Sequence, residues 1–122
     1  MEFFEHIQAV ELSVVKLQEI LTISNSVNLC VSISEVLDDQ QYHGRVYCVW
    51  GEFTVNRELL AQGVRFSMPS CPNALAWTLT LDADKVLSIH CTINKQKHDQ
   101  EFIESIQEFT NDWKSGLEHY LV

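Results

Sequence analysis

What this chain is short of narrows it first. Its four glycines, Gly44, Gly51, Gly63 and Gly116, are scattered, so no glycine-rich loop is present to cradle a phosphate. Neither a G-x-S-x-G elbow nor an H-E-x-x-H helix occurs. None of the four cysteines, Cys30, Cys48, Cys71 and Cys91, forms a C-x-x-C pair. With no export signal they read as reduced, buried small hydrophobes, not as disulfide partners or metal ligands. Basic residues are few, 8 against 17 acidic, for a net charge of −9. Neutralising phosphates takes Lys and Arg, so nucleic acid is not an expected partner, and anionic membrane surfaces are equally disfavoured. No apolar run approaches the roughly 18 residues of a spanning helix. The N-terminus carries Glu2 and Glu5 where a signal peptide would have basic residues before an apolar run. A soluble, cytoplasmic protein is expected.

What is present suits one globular domain, residues 1–122. Hydrophobic residues make up 46% of the chain and charged residues 20%. The clearest pattern lies in the C-terminal third. Leu75, Trp77, Leu79 and Leu81 alternate with Thr78 and Thr80, Asp82 to Lys85 read as a tight turn, and Leu87, Ile89, Cys91 and Ile93 alternate with Ser88, His90 and Thr92. That predicts a β-hairpin with one apolar face. The polar segment Asn94 to His98 leads into a helix with Asp99 as N-cap and Glu101 in its first turn, where the helix dipole favours negative charge. Phe102, Ile106, Phe109, Trp113, Leu117 and Tyr120 recur every three or four residues, a stripe to be laid against the hairpin or shared with a partner chain.

Upstream, Phe3, Ile7, Val10, Val14, Leu17 and Leu21 repeat at helical spacing, which predicts a helix over residues 1–24, ended by Ser24-Asn25-Ser26. Alternation from Val27 to Val36 predicts a strand, Asp38 to Gln41 a loop, and the β-rich run Arg45 to Phe53 a second strand. Thr54 or Asn56 is placed to cap a short helix through Leu59, Leu60 and Ala61, ending at Gly63. Val64 to Met68 reads as extended and Pro69 to Asn73 as a rigid loop. The expected fold class is α+β: an antiparallel sheet flanked by N-terminal and C-terminal helices, with a short middle helix.

No catalytic constellation stands out. His90 and Cys91 are neighbours on a strand and so point to opposite faces, which makes a shared metal difficult. Asp82 and Asp84 are accounted for by the turn, and Glu101, Glu104 and Glu108 by the solvated side of the last helix. Neither a metal nor a cofactor is expected. Trp50, Phe53, Phe66, Trp77, Phe102, Phe109 and Trp113 are many large rings for a small core. They either all lie in that core or partly line a groove or a dimer seam.

Size, acidity, element order and three stretches together resemble the class I type III secretion chaperones. The stretches are Trp77 to Asp82 with Val86 to Ile89, the helix from Phe102 to Leu117 with its late Trp113, and the Leu59-Leu60-Ala61 run of the middle helix. The family usually has three strands between its first two helices, where only two are placed here, and Gln62 stands where Asn often follows the Leu-Leu pair. The resemblance implies a bacterial cytoplasmic dimer that is not an enzyme. Such a protein holds the N-terminal segment of a secreted effector or gatekeeper protein in an extended state, through strand addition and apolar patches. By that layout Phe3, Ile7, Val10, Leu29 and Val31 would line the client groove. Leu59, Leu60 and Phe66 would meet at the two-fold seam of a homodimer, or of a heterodimer with a second chaperone.

Two other classes compete. An acidic immunity or inhibitor protein for a basic toxin fits the size and charge equally; Asp38, Asp39, Glu101, Glu104 and Glu108 would then carry the interface, with salt-dependent binding. A small enzyme or a metal-dependent protein would use His43, His90 or Cys91. Acidity alone is also explained by solubility.

Overall fold

The computed structural model describes residues 1–94 and 97–121. Its elements are β1 (Glu2–Gln8), α1 (Val14–Ile20), α2 (Ser26–Leu29), β2 (Ile33–Asp39), β3 (His43–Cys48), β4 (Gly51–Leu60), β5 (Gly63–Ser67), β6 (Ala76–Leu81), β7 (Val86–Thr92) and α3 (Gln100–Tyr120). The seven strands form one antiparallel sheet in the order β1-β7-β6-β5-β4-β3-β2. Strands β2 to β7 follow one another as a meander, and only β1 comes from elsewhere in the chain, to pair with β7. The fold is α+β with a long C-terminal helix.

The predicted hairpin is β6 and β7, in register from Ala76↔Thr92 to Leu81↔Leu87. Its turn is held by Asp82, whose Oδ1 accepts from the backbone N–H of Asp84 and of Val86. Trp77, Leu79, Leu81, Leu87, Ile89 and Cys91 are buried, and α3 lies on them through Ile106, Phe109, Thr110, Trp113 and Leu117. Asp99 caps α3 by accepting from the N–H of Phe102 at 2.8 Å. At the ends of the stripe Phe102 is half-buried and Tyr120 exposed. Trp77 sits edge-on to Phe109 at 5.0 Å and 6.2 Å from Trp113, whose ring stacks on Phe66 at 6.0 Å. Of the connecting segment Asn94 to His98, Lys95 and Gln96 lie outside the described residues.

The N-terminal helix expected over residues 1–24 is instead a strand, a loop and a seven-residue helix. The reason is that Phe3 and Ile7 are four apart, a spacing that puts two residues on one face of a helix and equally on one face of a strand. Long-range pairing with β7 decides between them. Val10 lies in the loop after β1 and is exposed; of the supposed stripe only Val14, half-buried, and Leu17, buried, lie in α1, with Leu21 buried at its C-cap. The strand expected from Val27 begins at Ile33, because Ser26–Leu29 closes into one helical turn, α2; the expected loop at Asp38 and Asp39 is the end of β2.

The expected middle helix is also a strand. Gly51–Leu60 pairs with β3 on one side and β5 on the other. Its core-side positions are Phe53, Val55, Arg57 and Leu59, and an arginine in that series hides the alternation. Arg57 is nonetheless buried. Its Nε donates to the carbonyl of Leu21 at 2.6 Å and its Nη2 to that of Gln18 at 2.8 Å, so it satisfies the carbonyls at the C-terminal end of α1. The expectations from Val64 to Asn73 hold: β5 spans Gly63–Ser67 and a loop follows.

All three helices cover the same face of the sheet, since Arg57, Phe66 and Trp77 are cross-strand neighbours on that side. Helices α2 and α3 approach so closely that a Cβ on Gly116 would lie 1.8 Å from the carbonyl oxygen of Leu29. The opposite face carries Phe4, His90, Thr78, Arg65 and Glu58 in one cross-strand row, all half-buried or exposed.

Candidate functional site

A row of carboxylates without ion-pair partners is built on the outer side of α3. Glu101, Glu104, Glu108 and Asp112 recur at steps of three and four, so they form one ridge, opposite the stripe that buries Phe109 and Trp113. Among the described residues none of the four is ion-paired: the pairs present are Arg45–Glu52, Arg65–Glu58 and His90–Glu2.

Beside this ridge, the β2–β3 pairing continues one step past Ile33 and Cys48. The N–H of Val49, in the β3–β4 turn, donates to the carbonyl of Ser32, just before β2. Ser32 in turn donates its hydroxyl to Asp112. Trp50 is clamped on α3: its Nε1 donates to Ser105 Oγ at 2.9 Å, and its ring rests 5.1 Å from Phe109 and 6.2 Å from Phe102. This geometry leaves Val31 80% and Val49 61% exposed, although both are β-branched apolar residues next to a folded core.

Two hollows lie in this region, and Trp50 lines the apolar one. One is a shallow cavity of about 200 Å³ lined by Val31, Ser32, Val49, Ser105, Glu108 and Asp112. The other is an apolar cavity of about 260 Å³ whose walls include Phe53, Met68, Cys71, Leu75, Phe102 and Ile106. A half-buried tryptophan lining an apolar hollow, with an acidic one in the same region, matches the anchor-and-rim arrangement of protein interfaces. Chemically such a surface can accept an apolar side chain in one hollow and a cation at the carboxylates of the other.

The residues singled out from sequence are not gathered into one surface. Phe3 and Ile7 turn their side chains into the core under α3, and Leu29 and Phe66 are wholly buried. Ile7 does touch, with Val10, an open cavity of about 560 Å³ at the β1–α1 loop, rimmed by Glu11, Lys16 and Glu118. Val31 belongs to the Trp50 site at another corner. Leu59 is exposed and Leu60 half-buried at the end of β4, with Phe66 too deep to join them at a seam. Of the acidic set, Glu101, Glu104 and Glu108 are together on α3. Asp38 and Asp39 lie at the far end of β2 from Val31, about 17–20 Å along the strand. The sequence reasoning missed Val49, Ser105 and Asp112; only the acidic residue at the end of the 101-104-108 series was there to be found.

Among the described residues, reactive side chains are not gathered in one place. Burial pushes the thiol of Cys91 up to about 12, that of Cys30 far above its ordinary range and that of Cys48 upward, so all three stay protonated and inert. All four cysteines are free. Among the described residues no three His, Cys, Asp or Glu side chains converge as metal ligands, and no helix is long and apolar enough to cross a membrane. The chain matches no protein-family model, no curated protein and no solved structure.

Proposed function

We propose that this chain is a non-catalytic binding protein for a basic partner protein, of the inhibitor or immunity kind. The observation that carries this is the unpaired carboxylate ridge of α3 running beside Trp50, Val31 and Val49. A carboxylate without a counter-charge costs nothing in water, but four in a row repel one another, and an approaching Lys or Arg relieves that repulsion. The apolar hollow that Trp50 lines supplies the desolvated anchor that steering alone lacks. A cytoplasmic location goes with this reading, since such a partner would be met where it is made.

The secretion-chaperone reading retains its hairpin and closing helix. It loses its helical first element and its middle helix, which supplied its groove and seam. It therefore stands second.

The test is capture of partners from the native cell by the tagged chain, side by side with Glu104→Lys/Glu108→Lys. Both substitutions are on an exposed helix face and should leave the fold intact. The expected result is a basic, folded protein recovered by the wild type and lost in the variant. With that protein purified, association should slow by roughly tenfold or more in the variant or at high salt. A partner bound equally by both forms and at all salt concentrations would overturn the proposal. A partner held through an unfolded N-terminal segment would replace it with the chaperone reading.

A further inference from the structure

The two edges of the sheet differ. At β2 the pairing with β3 slips twice, between Ile33 and Glu35 and between Val36 and Asp38, and the strand carries Glu35, Asp38 and Asp39. Bulges and charge are the usual means of blocking an edge against further pairing. At β1 there is no such slip, although the strand carries Glu2 and Glu5. Seven residues, Glu2 to Gln8, pair with β7 without a shift.

The hydrogen-bond phase of β1 identifies what it offers outward. Met1 exchanges both backbone bonds with Ile93, and Ala9 donates to Lys85. Antiparallel bonding alternates, so the odd-numbered residues bond to β7 and the N–H and C=O groups of Glu2, Phe4, His6 and Gln8 point away from the sheet. On the open face Phe4 is 51% exposed, and it is stacked parallel to His90 at 4.3 Å and to His6 at 6.5 Å.

We propose that β1 pairs with β1 of a second copy of this chain, about a two-fold axis at Phe4, joining the two sheets into one. The sequence of β1 is self-complementary in that register. A two-fold axis normal to the sheet keeps faces matched only if it passes through a residue, and Phe4 is one whose backbone groups point outward. Phe4 then meets its own copy, extending the aromatic stack across the edge, and Glu2 meets His6 of the other copy twice, carboxylate to imidazole N–H. Centring on Glu5 would instead put two carboxylates face to face. Such an interface is isologous and closed, so it gives a dimer and not a fibre. The inference is independent of the partner reading, since the Trp50 site belongs to other elements.

Sedimentation velocity over a wide dilution series tests it. The wild type should show a reversible monomer–dimer equilibrium. Phe4→Glu should leave monomer only. His6→Pro should do the same for a separate reason: it removes an outward N–H that the monomer does not use, so the fold, checked by circular dichroism, should survive. His6→Glu should weaken the dimer and Glu2→Lys/His6→Glu should restore it. A wild type that stays monomeric throughout, or a dimer that persists in both Phe4→Glu and His6→Pro, overturns the proposal.

Discussion

From β5 to the end of α3 the chain is held by rings and aliphatic side chains meeting across the layers: Phe66 on Trp77, Trp77 on Phe109 and Trp113, with Leu79, Leu87 and Ile89 beneath. From β1 to β4, hydrogen bonds from far along the chain onto helix ends and turns add a second kind of tie. Arg57 holds the carbonyls of Leu21 and Gln18, and Gln18 donates to the carbonyls of Leu60 and Gly63. The difference lies in what each kind of contact needs. Apolar burial is non-directional and scales with area, whereas a short helix such as α1 cannot stand without specific partners for its ends. The two regions should therefore fail in different ways when cut.

The largest effect is expected in the C-terminal region. Trp113→Ala removes a fully buried indole that touches three other rings and should cost about 3–5 kcal/mol in chemical denaturation. Trp113→Phe should cost far less. Its indole N–H has no hydrogen-bond partner, so losing it removes a desolvated donor and forfeits only packing. Near-equal losses for the two variants would mean that shape, not area, holds this layer.

Arg57→Met is the corresponding cut in the N-terminal region. Methionine fills similar volume but leaves two carbonyls at the end of α1 without donors, for an expected loss of about 2–3 kcal/mol. Hydrogen exchange should locate the damage in α1, with β6, β7 and α3 still protected. Uniform loss of protection would show that the two regions unfold as one unit and would end the distinction.

The same difference accounts for what could be read in the sequence. Trp77 to Ile93 and Phe102 to Leu117 declare themselves because burial there follows period two and then period 3.6, and because Asp82 and Asp99 do local work as turn and cap. The first sixty residues do not. Phe3 and Ile7 fit both periods, so only pairing with β7, far along the chain at Cys91 and Leu87, selects the strand. Arg57 reads as a surface residue because nothing local announces the carbonyls it meets. The Trp50 site was half visible: the glutamates of α3 form a series, but Val31 and Val49 sit at the end of the β2–β3 pairing, where their apolar type gives no local sign of their exposure.

The smallest effect separates polar ties by pH. Asp39 sits at the end of β2, accepting from the N–H and hydroxyl of Ser24 and from the N–H of Gln41. Partial burial opposes its charge, but the bonds from Ser24 and Gln41, together with the nearby Arg57 guanidinium, outweigh it and hold the carboxyl below its usual range. A carboxyl lowered in the folded state contributes stability at pH values above its unfolded value, and that contribution disappears as pH falls through the lower, folded one. Asp39→Asn should therefore be slightly less stable than the wild type at neutral pH and converge with it in acid. Trp113→Phe, which touches no titrating group, should keep a constant offset across the same range. Parallel curves for Asp39→Asn and the wild type would mean that the Ser24 and Gln41 bonds do not depend on the charge, so that this corner is held by shape, as the C-terminal layer is.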